Sequence, residues 1–460
     1  MKFKFNQYGF IDNGEVELGD LTIICGPNNV GKTYVSYGIY GFLKHFRELV
    51  EIPISSEQIE ILKNDGSLNI NLEDYQTKIN DYFKQASQKF TQGLTNYFNA
   101  PDDFFKNTII DFTYKHFHNN LNFGFKQTTK FGQNRSLTLL FDKAPNESIL
   151  SIALQVGEQE KQETKLSSRI IGDIVGNVVS NCLFENMFLK AFIATSERTT
   201  ISLFYKELDI SRNAILEHLY KNDKPNDDPI ALLNSMRSRY ARPIQDNIGV
   251  IRDYENLSKR KSFIRANRQK YKPIFDALQS ILDGSFKNID GNIYYQPRKE
   301  RNRDRVIIPL YLTSSAVKTL FLIDLYINCL AEPHGILIID EPELNLHPDN
   351  QRKMASLLAR LVNAGVKVLI TTHSDYLIRE INNKIMLNSQ IENKQSIMQN
   401  AKIVEQDVLR PEQVKAYAVK TDHTIKIVPV DRYGINMEIF DDIIADANKL
   451  ADDLFYGMPE

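Results

Sequence analysis

The chain has 460 residues, 42% of them hydrophobic and 25% charged, and its 56 Lys and Arg against 58 Asp and Glu leave a net charge of −2. That is globular composition, long enough for more than one structural unit, and it excludes intrinsic disorder and a globally basic nucleic-acid binder. The three cysteines, Cys25, Cys182 and Cys329, stand far apart with no CxxC pair, which excludes a disulfide framework or zinc site and suits a reducing cytosol.

In chain order, residues 1–5 alternate charged and apolar side chains as a strand does and lack the apolar run of a signal peptide. Residues 21–25 are a short apolar run, read as a strand buried on both faces, and residues 32–50 read as the helix that follows. Between them stands Gly26-Pro27-Asn28-Asn29-Val30-Gly31-Lys32-Thr33, which fits G-x-x-x-x-G-K-[ST]. The glycines let the backbone curl so that the N–H groups of Asn28, Asn29, Val30 and Gly31 face a phosphate chain at a helix N-terminus. Lys32 would neutralise the β- and γ-phosphates of ATP, and Thr33 would ligate Mg²⁺.

Residues 51–288 are dominated by helical patterning, with strand-like pieces at 136–141 and 192–195. No heptad series or internal repeat occurs there. Further on, apolar runs at 306–312, 336–339 and 366–371 read as buried parallel strands, followed at the first two by helices over 317–330 and 350–363. The longest apolar stretch, 317–331, is broken by Lys318, Asp324 and Asn328, so no membrane span is expected. Alternating strand and helix predicts an α/β head. The strand at 336–339 ends in Asp340 and Glu341, placed to hold Mg²⁺ through water and to act as a base for the attacking water. Residues 437–454 read as an acidic amphipathic helix carrying Asp441, Asp442 and Asp446.

Asp340-Glu341-Pro342-Glu343 followed by Leu346-His347-Pro348 resembles the extended Walker B and D-loop of ABC-type ATPases in the RecF, structural-maintenance-of-chromosomes and overcoming-lysogenization-defect group. Leu369-Ile370-Thr371-Thr372-His373-Ser374 resembles that group's switch segment, and the resemblance makes His373 the sensor of the γ-phosphate. Leu312-Thr313-Ser314-Ser315-Ala316-Val317-Lys318 occupies the place of the signature motif, with Ala316 where glycine is usual. There the resemblance implies that Ser314 and Ser315 reach the ATP held by a second copy of the chain, a role compatible with capping their own helix. Ala194-Thr195-Ser196-Glu197-Arg198-Thr199 resembles the Ser-Glu-Arg segment of many such ATPases. Glu197 and Arg198 either touch Mg²⁺ or nucleotide or form an ion pair at a strand end.

The expected fold is therefore an ABC-type P-loop ATPase head with a long, mostly helical insertion between Walker A and signature. Residues 1–50 and 289–380 form the head and 51–288 the insertion, with a head strand near 190–200; 381–460 form a C-terminal α/β region. The resemblance implies ATP hydrolysis with Mg²⁺ in a homodimer or higher homo-oligomer, and the cysteine usage with no apolar span makes the cytoplasm the expected location. About 280 residues separate Thr33 from Ser314, far more than in a transporter motor, and the missing heptads argue against a chromosome-organising ATPase. No Asp-x-Asp pair follows His373, which argues against a built-in Toprim nuclease. The layout looks most like the ATPase subunits of bacterial anti-phage systems of the PARIS, Septu and retron-associated kinds, implying a sensor or scaffold that regulates a separate nuclease or toxin. The alternative is a RecF-like DNA-repair clamp. Basic stretches at 259–272 and 298–305 leave nucleic acid open as a further ligand, though such runs are more often solvated faces.

Overall fold

The most apolar short runs of the sequence become the middle of one sheet. The computed structural model describes residues 1–114, 121–131, 137–156, 167–184, 187–205, 240–298 and 306–436, together with 449 and 454. Its largest sheet has six strands in the order Ile425–Val428, Val414–Val419, Leu21–Cys25, Lys367–Thr372, Gly335–Asp340 and Lys190–Ala194. All neighbours pair in parallel except the edge strand Ile425–Val428, which runs antiparallel to Val414–Val419. Leu21–Cys25 and Gly335–Asp340 are buried at every position, so they carry continuous apolar runs rather than an alternating pattern.

The register aligns Cys25 with Thr372, Thr371 with Asp340, and Ile339 with Ala194. The carboxyl ends of these four strands therefore finish along one edge. Residues 26–33, 195–199, 341–347 and 373–374 follow directly from it, which is where open α/β sheets place their ligand sites. Helices Lys32–Leu49, Ser315–Leu325, Pro348–Asn363 and Asp375–Met386 carry the chain back. Phe321 and Ile323 join Leu337, Ile339, Leu358, Val368 and Ile370 in one buried core.

The chain forms two compact units. The sheet lies in the unit of Lys4–Gly41, Leu94–Thr108 and Lys190–Glu460. The other unit comprises Met1–Phe3, Phe42–Gly93 and Ile109–Leu189. It contains a four-stranded antiparallel sheet in the order Ser67–Asn71, Ile149–Val156, Leu137–Lys143 and Phe125–Phe131, beside helices such as Ser56–Asp65 and Ser168–Phe184. Phe42, Phe46, Phe83, Phe112, Phe184 and Phe188 form its aromatic core, with Phe46 and Phe188 stacked.

Several expectations are corrected. The run at 306–312 is not a buried parallel strand. Only Ile308–Pro309 is a strand, antiparallel to Asn292–Pro297, and Leu310–Leu312 is a 3₁₀ turn. Val306, Ile307, Tyr311 and Leu312 are exposed, so apolar residues there do not mark burial. The segment 51–189 adds the antiparallel sheet to its helices, and its strand Leu137–Lys143 covers the described part of the piece expected at 136–141. The acidic helix expected over 437–454 falls, but for Lys449 and Leu454, outside the described residues. Among those described, no helix is long and apolar enough to cross a membrane.

Helix Ser315–Leu325 carries a half-buried carboxyl whose titration bears on stability. Burial pushes the Asp324 carboxyl up to about 7, against the opposing pull of Arg265, and Asn328 donates to its Oδ1 at 3.0 Å. Between about pH 4 and pH 7 the folded chain holds a proton that the unfolded chain has released. Stability therefore falls as pH rises across that window, and the penalty is complete above it. Asp324→Asn keeps the acceptor and removes the charge. It should raise the melting temperature by about 3 °C at pH 8 and change it little at pH 4, as thermal unfolding at the two pH values would show.

Candidate nucleotide site

Each residue of the site is placed by a strand end. After Cys25 the chain turns through Gly26 at φ +146°, Asn29 at φ +63° and Gly31 at φ +104°. A Cβ on Gly26 would lie 2.3 Å from the Val419 carbonyl oxygen, so the turn requires glycine twice over, by conformation and by space. Lys32 opens its helix almost fully buried, and its ammonium donates to the carbonyls of Gly26 at 3.0 Å and Pro27 at 2.6 Å. Burial lowers its pKa from the ordinary lysine value, while Glu341, Asp340 and Glu343 oppose that.

Thr33 donates its hydroxyl to Asp340 Oδ2 at 3.0 Å, joining the P-loop to the end of strand Gly335–Asp340. Thr371 on the adjoining strand also donates to the Asp340 carboxylate. That carboxylate is fully buried, and burial pushes it up to about 6. Among the described residues no cationic side chain forms an ion pair with it. A hydroxyl and a carboxylate, both hard oxygen donors, fit Mg²⁺, and Thr33 and Asp340 are the residues that would hold it.

Glu341 follows with φ +53°, a left-handed backbone that costs a non-glycine residue about 1–2 kcal/mol. Its N–H donates to the Thr371 carbonyl and hydroxyl, both at 3.1 Å. Its carboxylate Oε1 lies 3.5 Å from Nδ1 of His373, which stands at the end of the next strand. Glu343 Oε1 lies at the same 3.5 Å from that nitrogen, and it accepts from Thr372 Oγ1 at 2.8 Å and from the His373 N–H at 2.9 Å. The fold thus gathers residues 26–33 with Asp340, Glu341 and His373 along one sheet edge. The arrangement can cradle a phosphate chain, hold a divalent cation and offer a carboxylate base beside an imidazole.

The sequence matches the family described as AAA ATPase domain over residues 1–378. The chain belongs to that family. No curated protein is found to match it. Among solved structures it is similar to an SMC head bound to the C-terminal winged-helix domain of ScpA, at 12% identity over 93% of this chain and 96% of that one, with a TM-score of 0.34. It is also similar to the SMC head with an extended coiled coil from Pyrococcus furiosus (12% identity, 98% of each chain, TM-score 0.30). A third likeness is the SMC head of Thermotoga maritima (10% identity, 94% and 98%, TM-score 0.29). The fold is α/β, with the ABC-type P-loop head that the motif order implies.

In this AAA ATPase domain Ser314 and Ser315 stay outside the cluster. Ser314 caps helix Ser315–Leu325 by accepting from the Val317 N–H at 3.3 Å, and both serines are exposed. Of the two alternatives open for Glu197 and Arg198, an ion pair with each other is not formed. Glu197 accepts from the Tyr37 hydroxyl at 2.9 Å, and Arg198 is fully buried, donating among the described residues to main-chain carbonyls. Glu343, Thr371 and Tyr37 also belong to the site, and sequence reasoning did not single them out. The position of Glu343 inside Asp340-Glu341-Pro342-Glu343 is the one signal that could have found it.

Proposed function

We propose that this chain binds ATP with Mg²⁺, hydrolyses it, and uses the change of nucleotide state to control a separate protein. The observation that carries the reading is the convergence of Lys32, Thr33, Asp340, Glu341 and His373 at the carboxyl edge of one parallel sheet. Lys32 binds the β- and γ-phosphates, and the P-loop N–H groups cradle them. Glu341 takes the proton of the attacking water, and His373, held by Glu343 through its own N–H, faces the γ-phosphate. Mg²⁺, when bound, draws charge from the phosphate oxygens.

The exposed serines at the start of helix Ser315–Leu325 support a head-to-head homodimer in which each reaches the partner's nucleotide. Control of a separate effector, in anti-phage defence, rests on the resemblance to the ATPase subunits of such systems and on a second unit larger than ATP turnover needs.

The direct test is phosphate release by the purified chain beside Lys32→Ala. The variant should bind ATP at least about tenfold more weakly, because a counter-charge to the phosphates is lost in ground and transition states alike, and turnover should fall to background. Equal activity in the two proteins would remove the reading.

A further inference from the structure

We infer that Arg198 is a positioning residue that ties the orientation of Glu341 to the helix beginning at Ser315. The inference rests on the reading that Glu341 activates water, and it names how that step is regulated.

Arg198 is fully buried and hydrogen-bonds to main-chain carbonyls rather than to carboxylates. Its Nη1 donates to the carbonyls of Thr195 at 2.9 Å and Asp340 at 2.6 Å, its Nη2 to Glu341 at 2.6 Å, and its Nε to Thr319 at 3.2 Å. Burying a guanidinium is costly; burial draws Arg198 from its ordinary range down to about 10. An apolar side chain of similar volume would avoid that cost but leave these carbonyls without their donor. The fork instead fixes three segments at once: the end of strand Lys190–Ala194, the pair Asp340 and Glu341, and the middle of helix Ser315–Leu325.

The contact with Glu341 is the one that bears on chemistry. Glu341 sits at φ +53°, and its two peptide groups are clamped from opposite sides. Thr371 accepts from its N–H, and Arg198 donates to its carbonyl. A strained backbone of this kind persists only where its surroundings over-determine it, and here it sets where the Glu341 carboxylate points.

The contact with Thr319 supplies the coupling. Thr319 lies about one turn beyond Ser315, on the helix whose exposed start is proposed to meet the partner's nucleotide. Its hydroxyl is 2.8 Å from that of Thr199, and the Asn345 amide donates to both at 3.3 Å. Asn345 belongs to the loop just after Glu341. A movement of the helix therefore reaches Glu341 by two routes, through the guanidinium and through the Thr199–Thr319–Asn345 cluster. In this arrangement the base is aligned only when the helix is seated.

The test is a comparison of Arg198→Lys in the wild-type and Glu341→Gln backgrounds, measuring steady-state turnover and binding of a non-hydrolysable ATP analogue. An ammonium cannot fork across four carbonyls. Turnover should fall about tenfold to 100-fold in the wild-type background, with analogue affinity kept within about threefold. With Glu341→Gln present, Arg198→Lys should add less than about twofold, because residues that act as a unit are non-additive. Equal proportional losses in both backgrounds, or weakened analogue binding, would overturn the inference. Should Arg198→Lys fail to fold, Asn345→Gly decides. It keeps the left-handed backbone at φ +59° and removes only the bridging amide. It should lower turnover several-fold in the wild-type background alone, and unchanged turnover would overturn the coupling. Full activity in Glu341→Gln by itself would instead remove the base assignment, and this inference with it.

Discussion

Glu341→Gln is expected to bind ATP as tightly as the wild-type chain and to hydrolyse it about 100- to 1000-fold more slowly. The substitution is nearly isosteric. The left-handed backbone at Glu341 and its hydrogen bonds to Thr371 and Arg198 are all main-chain features, so they survive it. Lys32, Thr33 and Asp340, which would make the ground-state contacts with nucleotide and Mg²⁺, are untouched. What disappears is a proton acceptor needed only in the chemical step, so the loss belongs in kcat and not in binding. Single-turnover hydrolysis together with ATP affinity separates the two. Unchanged hydrolysis would remove Glu341 as the base, and lost affinity would mean that its charge helps to hold the P-loop lysine.

The site was legible because strand ends in a parallel sheet carry their ligands in the next few residues. Gly26 to Thr33, Asp340, Glu341 and His373 each follow an apolar run that is buried on both faces, and such runs stand out in a sequence. Arg198 did not stand out in the same way. Its partners are carbonyl oxygens, and a carbonyl leaves no mark on residue identity, so an arginine beside Glu197 reads equally as an ion pair or as a contact to Mg²⁺ or nucleotide. Strand Val414–Val419 was hidden for a related reason. It lies far beyond the other head segments in sequence, and its place beside Leu21–Cys25 is fixed by pairing rather than by motif. The run at 306–312 misled in the opposite sense. Val306, Ile307, Tyr311 and Leu312 are apolar yet exposed, and exposure of that kind beside Ser314 is what an interface would need. In the other unit, strand Phe125–Phe131 alternates exposed polar residues with half-buried ones, a weak signal against the helical periodicity around it.

Mixing Lys32→Ala with Ser314→Arg should restore activity that neither variant has alone, and this is the sharpest test of a shared site. In a homodimer of Lys32→Ala both P-loops lack the phosphate lysine. In a homodimer of Ser314→Arg both helix starts are blocked, since Ser314 caps helix Ser315–Leu325 from an exposed position and an arginine there covers the neighbouring Ser315 as well. A mixed dimer pairs the intact P-loop of one protomer with the intact helix start of the other, leaving one sound site and one carrying both lesions. Random exchange makes half of all dimers mixed, so turnover should return to about a quarter of the wild-type value. If the two sites fire only together, mixed dimers should instead hold ATP at the sound site without turning it over, which a filter-binding measurement would detect. Ser314 does not contact the P-loop cluster of its own chain, so a site closed within one protomer predicts a different result. Ser314→Arg would then hydrolyse ATP normally by itself, and mixing would give only the average of the two proteins.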